Sequence, residues 1–239
     1  MGLPTHTSSF DFVLNNSCGG DHIGIDYNSR KHYKNVLHTS RQMVRKASKD
    51  CLQPQELLQQ VREHDHRTNL PPAEYEALME MGPELARPPT YDSQCFVLGS
   101  YNEDANEKQK LIYFKEELQN WAGENCRAYL MEDFPDGLHP MIQFKLIADH
   151  SDYIIGICEH DKGGFQLELG MLIALMEYFD RCHLLKRTYP DEQTEHEKYN
   201  WMLSAGVFDM FEYGDRLWEW ENSREYKVEV TNVLSTVLK

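Results

Sequence analysis

Between residues 92 and 239, short apolar runs alternate with longer stretches whose apolar residues recur every three or four positions. The runs cover 94–98 (QCFVL), 127–131 (RAYLM), 153–158 (YIIGIC), 183–185 and 207–213 (VFDMFEY). The longer stretches cover 108–122, 140–149, 165–180, 192–203 and 225–238. Brief apolar runs read as buried strands, and a period near 3.6 reads as helix. Strands that alternate with helices need crossover connections. The pattern therefore predicts a five-stranded parallel sheet with helices on both faces, the flavodoxin-like α/β winding.

Residues 1–90 read differently. An extended arm is expected over 1–28, which carries Gly19-Gly20 and several Asn and Ser. A helix is expected over 29–48, a second from Pro54, and a third from Pro72 that ends near Gly82-Pro83 or Ala86. Arg87-Pro88-Pro89 reads as a linker. The expectation is two domains: a small helical module with its arm over 1–90, and an α/β domain over 91–239.

Charge follows the same division. Residues 1–90 hold 10 Lys and Arg against 11 Asp and Glu, and residues 91–239 hold 14 against 28. The acidic part is a poor grip for a nucleic-acid backbone, and solubility is its ordinary use. The first helix places Arg30, Lys34, Arg41, Arg45 and Lys49 near one face. That face suits a nucleic-acid or acidic protein partner, or plain solvation.

No stretch approaches the roughly 18 consecutive apolar residues of a membrane span. Met1 to Cys18 lacks the charged start and apolar run of a secretion signal, so a cytoplasmic location is expected. The six cysteines are widely spread, without the paired spacing of a disulfide framework or a zinc site. They are expected to be reduced, and no metal is expected.

In a parallel sheet of this kind ligands sit beyond the carboxyl ends of the strands. Three loops lie there. The first reads Gly99-Ser100-Tyr101-Asn102. Its glycine lets backbone approach a ligand, or simply makes a tight turn. The second begins Glu132-Asp133, carboxylates that can accept from sugar hydroxyls, sit solvated, or cap a turn. The third, 159–170, carries Asp161, Lys162, Gly163 and Gly164, and places Glu168 on the first turn of an apolar helix. His160 lies in the same loop as a minor candidate. Burial there raises the pKa of a carboxylate, while a helix start favours its charge. Opposite an anomeric carbon, such a group can stabilise or trap an oxocarbenium ion.

At these three loops the chain resembles the nucleoside 2-deoxyribosyltransferase family and its relatives. Those include the deoxyribosyltransferase-like toxins of some retron defence systems and, more distantly, Toll/interleukin-receptor (TIR) domains. The resemblance covers about residues 94–185, and is carried by a Gly-plus-aromatic loop, a Pro/Glu/Asp-type segment and the turn from Gly164 through Glu168 to Gly170. It implies that Glu168 is the catalytic carboxylate. It implies that Gly99, Ser100, Tyr101, Glu132, Asp133 and Gly164 line the ligand site, and Asp161, Lys162 and Gly163 of the same third loop are further ligand-binding candidates. One departure stands out: the family's aspartate six residues before the glutamate is Lys162 here, and Asp161 is one residue off register. This favours NAD or a related nucleotide as substrate over deoxyribonucleoside transfer. The expected activity is N-glycosidase cleavage in a defence or toxin effector, with a nucleotide-sensing module or a deoxyribosyltransferase as alternatives. No cofactor is implied beyond the nucleotide substrate. The resemblance also implies a homo-oligomer or a larger complex.

Overall fold

The structure is a computed structural model and describes residues 54–64, 70–86, 92–103 and 106–238. The arm over 1–28, the basic helix over 29–48 and the Arg87-Pro88-Pro89 linker lie outside the described residues.

Five parallel strands form one sheet in the order β2-β1-β3-β4-β5. They are β1 (Ser93–Gly99), β2 (Cys126–Tyr129), β3 (Tyr153–Cys158), β4 (Cys182–Arg187) and β5 (Leu217–Trp220). All seven residues of β1 are buried, as a strand covered on both faces requires. The chain winds outward from β1 to β2, then returns past β1 to β3 and on toward β5. The direction of winding thus reverses between β1 and β3, which opens a crevice at their carboxyl ends.

Two helices precede the sheet, α1 (Pro54–His64) and α2 (Pro72–Leu85). Leu57 and Val61 of α1 and Leu78, Met81 and Leu85 of α2 join the same apolar core as Phe96, Phe144 and Leu184. The helices α4 (Pro140–His150), α5 (Phe165–Ala174) and α6 (Met176–Phe179) add to that face. On the other face α3 (Glu107–Ala122) and α9 (Ser223–Val237) cover Val97, Ile155, Ile157 and Leu185. The described cysteines, Cys95, Cys126, Cys158 and Cys182, are free and buried. Among the described residues no helix is long and apolar enough to cross a membrane.

The fifth strand is not where the apolar run 207–213 placed it. That segment is helical: a π-helical turn at Leu203–Val207 leads into α8 (Phe208–Tyr213). Leu203, Phe208 and Phe211 are buried, whereas Asp209, Met210, Glu212 and Tyr213 are exposed. Burial at Phe208 and Phe211 is a helical spacing, which a run of five apolar residues in seven concealed. The strand itself is Leu217–Trp220, paired with Leu184–Arg187. Trp218 and Trp220 therefore lie in the last strand.

Three further helices differ from expectation. The stretch 165–180 breaks at Leu175, whose backbone is extended (φ −106°, ψ 94°). The stretch expected to be helical over 192–203 holds only α7 (Glu192–Lys198) before Tyr199 turns extended. Tyr199 is buried and its hydroxyl donates to the backbone oxygens of Cys158 (3.1 Å) and Arg187 (2.7 Å). These tertiary bonds override local helix preference. In the stretch 108–122, whose apolar residues recur at helical spacing, Trp121 is nevertheless 50% exposed on α3.

Candidate functional site

The carboxyl ends of β1 and β3 bring two of the three loops together. Glu168 lies on the first turn of α5, its amide bonded to the Gly164 carbonyl (3.3 Å). It is partly buried, and its Oε2 is shielded from solvent and has no hydrogen-bond partner among the described residues. Burial pushes its pKa from 4.5 up to about 7. Removing a carboxylate from water without compensation is costly, so the charge is held against a gradient.

Tyr101 faces the same region. Its hydroxyl accepts from the Met131 amide (3.0 Å), which ties the first loop to the second. Burial pushes the phenol well above its ordinary value, and the charges of Glu168, Glu132 and Asp133 push it further. The tyrosine therefore stays protonated beside Glu168 and keeps a donor available. From the far side Gln143 of α4 donates to the Met131 carbonyl (3.0 Å). Gln143 and Met131 were not singled out in the sequence, although a buried Gln in an apolar helix face is the kind of signal that marks such a role.

The remaining expected residues divide. Gly99 is required by its neighbours: a Cβ there would meet the Leu111 side chain at 2.7 Å and the Ile157 oxygen at 2.9 Å. Its small size serves the approach of α3 and β3 rather than of a ligand. The Ser100 hydroxyl accepts from the Asn102 amide (3.3 Å), closing a local turn. Glu132 pairs with Lys108 (2.8 Å). Asp133 pairs with Lys115 (2.6 Å) and accepts from the Leu130 amide (2.6 Å), so it caps the 3-10 turn Met131–Asp133. Both acids are exposed and form a rim answered by α3.

In the third loop Asp161 accepts from the Asn200 side chain (3.1 Å), and its amide donates to the Lys198 carbonyl (2.7 Å). Asp161 is therefore used to anchor the loop. Lys162 is exposed, and its amide donates to His160 Nδ1 (3.1 Å). Because Nδ1 accepts, the His160 proton lies on Nε2, which donates to the Glu107 carboxylate (3.1 Å). Gly163 has φ +84°, a conformation that suits glycine, and a Cβ at Gly163 or Gly164 would meet nothing within 4 Å. Both glycines are exposed.

A second buried carboxylate, Glu159, sits at the other end of this loop, on the α3 face of the sheet. Lys110 Nζ lies 2.7 Å from its Oε1, and Arg187 Nη1 lies 3.1 Å from its Oε2. Its backbone oxygen accepts from the Tyr189 hydroxyl. A glutamate placed directly after an apolar strand was the available sequence signal for this cluster.

Residues 53–230 match a family of unknown function, DUF8170. The chain belongs to that family. The DUF8170 match begins at the start of α1, so it takes in the two leading helices together with the sheet, and it includes both Glu159 and Glu168. Residues 1–52 lie outside it. No curated protein matches the chain.

Proposed function

We propose that this DUF8170 protein cleaves the N-ribosyl bond of NAD or a related nucleotide, with Glu168 as the carboxylate that faces the anomeric carbon. One observation carries the reading. A glutamate at the reversal point of a parallel sheet has a buried, unpartnered oxygen and a pKa raised to about 7. An uncompensated carboxylate destabilises the fold, and such groups cluster where chemistry needs them.

Ionised Glu168 stabilises the oxocarbenium-like sugar, or bonds to its C1′, more strongly in a partly dry site than in water. As the C1′–N bond breaks, its electron pair neutralises the pyridinium, and nicotinamide leaves uncharged. That leaving group needs no proton donor. Water then adds at C1′ and a proton is released. Tyr101, held by the Met131 amide, has its own hydroxyl proton free to donate to a sugar oxygen. Asp161, committed to Asn200, is poorly placed to hold a deoxyribose, which favours a nucleotide over deoxyribosyl transfer. A role as a defence effector, with a partner met through the N-terminal residues and with self-association, belongs to the same proposal.

The test is incubation of wild type and Glu168→Gln with NAD and with common nucleosides, followed by chromatography of released base. Wild type should release nicotinamide, and E168Q should fall by about a thousandfold or more with unchanged circular dichroism. Activity should rise with pH through about 7 and then level, because the ionised form is the reactive one. Bound but intact nucleotide would instead make the protein a sensor. Full activity in E168Q would remove the mechanism.

A further inference from the structure

Asp161 lies in the loop that leads from β3 to Glu168, and its amide, carboxylate and carbonyl are all engaged. The amide donates to the Lys198 carbonyl (2.7 Å). The carboxylate accepts from Asn200 Nδ2 (3.1 Å), 39 residues further along the chain. The carbonyl accepts from the side chain of Gln166, on the first turn of α5 and two residues before Glu168. Between Lys198 and Asn200 stands Tyr199, buried and fastened through its hydroxyl to the carbonyls of Cys158 (3.1 Å) and Arg187 (2.7 Å), the last residues of β3 and β4. A continuous line of bonds therefore runs from the sheet through Asn200 and Asp161 to the turn that carries Glu168.

The two ends of the Asn200 amide have separate uses. Oδ1 accepts from the Leu203 amide (3.1 Å), capping the helical turns that start at Trp201. That partner is an N–H donor, so the side-chain oxygen is fixed there and the NH2 group faces Asp161. Capping does not require asparagine, since Ser, Thr and Asp serve as well. The NH2 group is the part that capping leaves over, and it goes to a carboxylate, the stronger kind of acceptor. Packing does little for the loop beyond Asp161, where a Cβ at Gly163 or Gly164 would meet nothing within 4 Å. Its position falls to hydrogen bonds.

We infer that Asn200 is a positioning residue for Glu168: through the Asp161 carboxylate it fixes the loop and the first turn of α5 where the acid stays sheltered. The effect on turnover rests on the reading of Glu168 as the reacting carboxylate, and the effect on the acid itself does not.

The full-length protein, carrying 13C in its glutamates, is titrated by NMR, with Glu168 assigned from the signal that E168Q lacks. Asn200→Ser keeps a capping oxygen and loses the donor to Asp161. The Glu168 midpoint, near 7 in wild type, should fall in N200S by about 1 pH unit, as the loosened turn admits water. Tyr101, whose charge would act on Glu168, stays protonated throughout. With NAD as substrate, kcat should drop about tenfold while KM changes by less than about threefold. Asp161→Asn combined with Asn200→Asp exchanges donor and acceptor, and it should restore both readings. A merely structural role would lower the urea midpoint of N200S and leave the Glu168 titration where it is. If N200S fails to fold, Asn200→Thr, also a capping residue, takes its place. The inference is overturned if the folded Ser or Thr variant titrates Glu168 as wild type does, or if the exchanged pair folds without restoring the titration. Absence of base release from wild type would remove the cleavage reading alone, since the titration still decides the role of Asn200.

Discussion

Glu159 and Glu168 stand at the two ends of one loop, and both are carboxylates with a buried oxygen that makes no hydrogen bond. They differ in company. Glu159 has a cation at each oxygen, Lys110 and Arg187. Among the described residues no cation pairs with Glu168, and burial pushes its pKa up to about 7. The paired acid ties β3 to α3 and β4 and belongs to the architecture. The unpaired acid costs the architecture something and gains the fold nothing visible. This difference, more than burial itself, singles out Glu168 as the group held for a ligand.

The largest effect that tests the contrast is on turnover and stability together. Glu168→Gln should abolish base release, as described above, while leaving urea stability at pH 8 equal to wild type or higher. Glu159→Gln should do the reverse in kind. It leaves Lys110 and Arg187 facing a neutral amide, and the midpoint in urea should fall by the equivalent of about 2–4 kcal/mol. If E159Q were as stable as wild type while E168Q unfolded, the assignment of the two roles would be inverted.

A pH series sharpens the same comparison. Glu168 has a folded pKa of about 7 against 4.5 for the free group, so the folded state binds the extra proton between those values. Its contribution to stability therefore falls as pH rises from about 4.5 to 7, by on the order of 3 kcal/mol in all. His183 runs the other way. Burial, and then the Arg216 charge, lower its pKa from 6.5 to about 4, so the unfolded state binds the extra proton. Its contribution rises with pH over that window by a similar amount. The two slopes largely cancel in wild type. E168Q should expose the rising slope of His183 in thermal melts between pH 4 and 6.5. His183→Asn should expose the falling slope of Glu168 between pH 4.5 and 7. Identical pH profiles in wild type and E168Q would mean that Glu168 titrates normally.

Much of this was legible in the sequence because period and burial coincide. The run YIIGIC (153–158) is continuous and apolar, and it forms the central strand β3 without ambiguity. The apolar turn around Glu168 correctly announced a partly dry carboxylate. What misled was 207–213, where aromatic residues imitate a strand until their helical spacing is seen, while the true strand LWEW is short and sits at the sheet edge. The partners of Glu159 were illegible for a different reason. Lys110 and Arg187 are far apart in sequence, and only the winding of the sheet brings them to one carboxylate. The same holds for Gln143 behind Met131. Local pattern reports which face of an element is buried, but not which distant side chain it meets.

The smallest expected effect lies in the loop that separates the two acids, at its adjacent glycines. Gly163 has φ +84°, which an L side chain adopts only under strain, whereas Gly164 has φ −65° and ψ −28°, ordinary helical values. Neither has a neighbour that a Cβ would strike. Gly163→Ala should therefore cost about 1 kcal/mol through backbone strain alone, and Gly164→Ala should be neutral or stabilise by about 0.5 kcal/mol through the unfolded chain. Urea midpoints of the two variants would separate them. The comparison of the acids adds a further consequence. The Glu168 amide bonds back to the Gly164 carbonyl, so a twist forced at Gly163 is passed to the start of α5 and to the unpaired acid. Glu159 is held by side-chain cations outside the loop and is shielded from that twist. G163A should therefore lower base release by more than its loss of stability explains, and G164A should lower it only if the ligand passes within a methyl group's reach of that residue. Equal activity in both variants, measured where both are fully folded, would show that the loop does not set the position of Glu168.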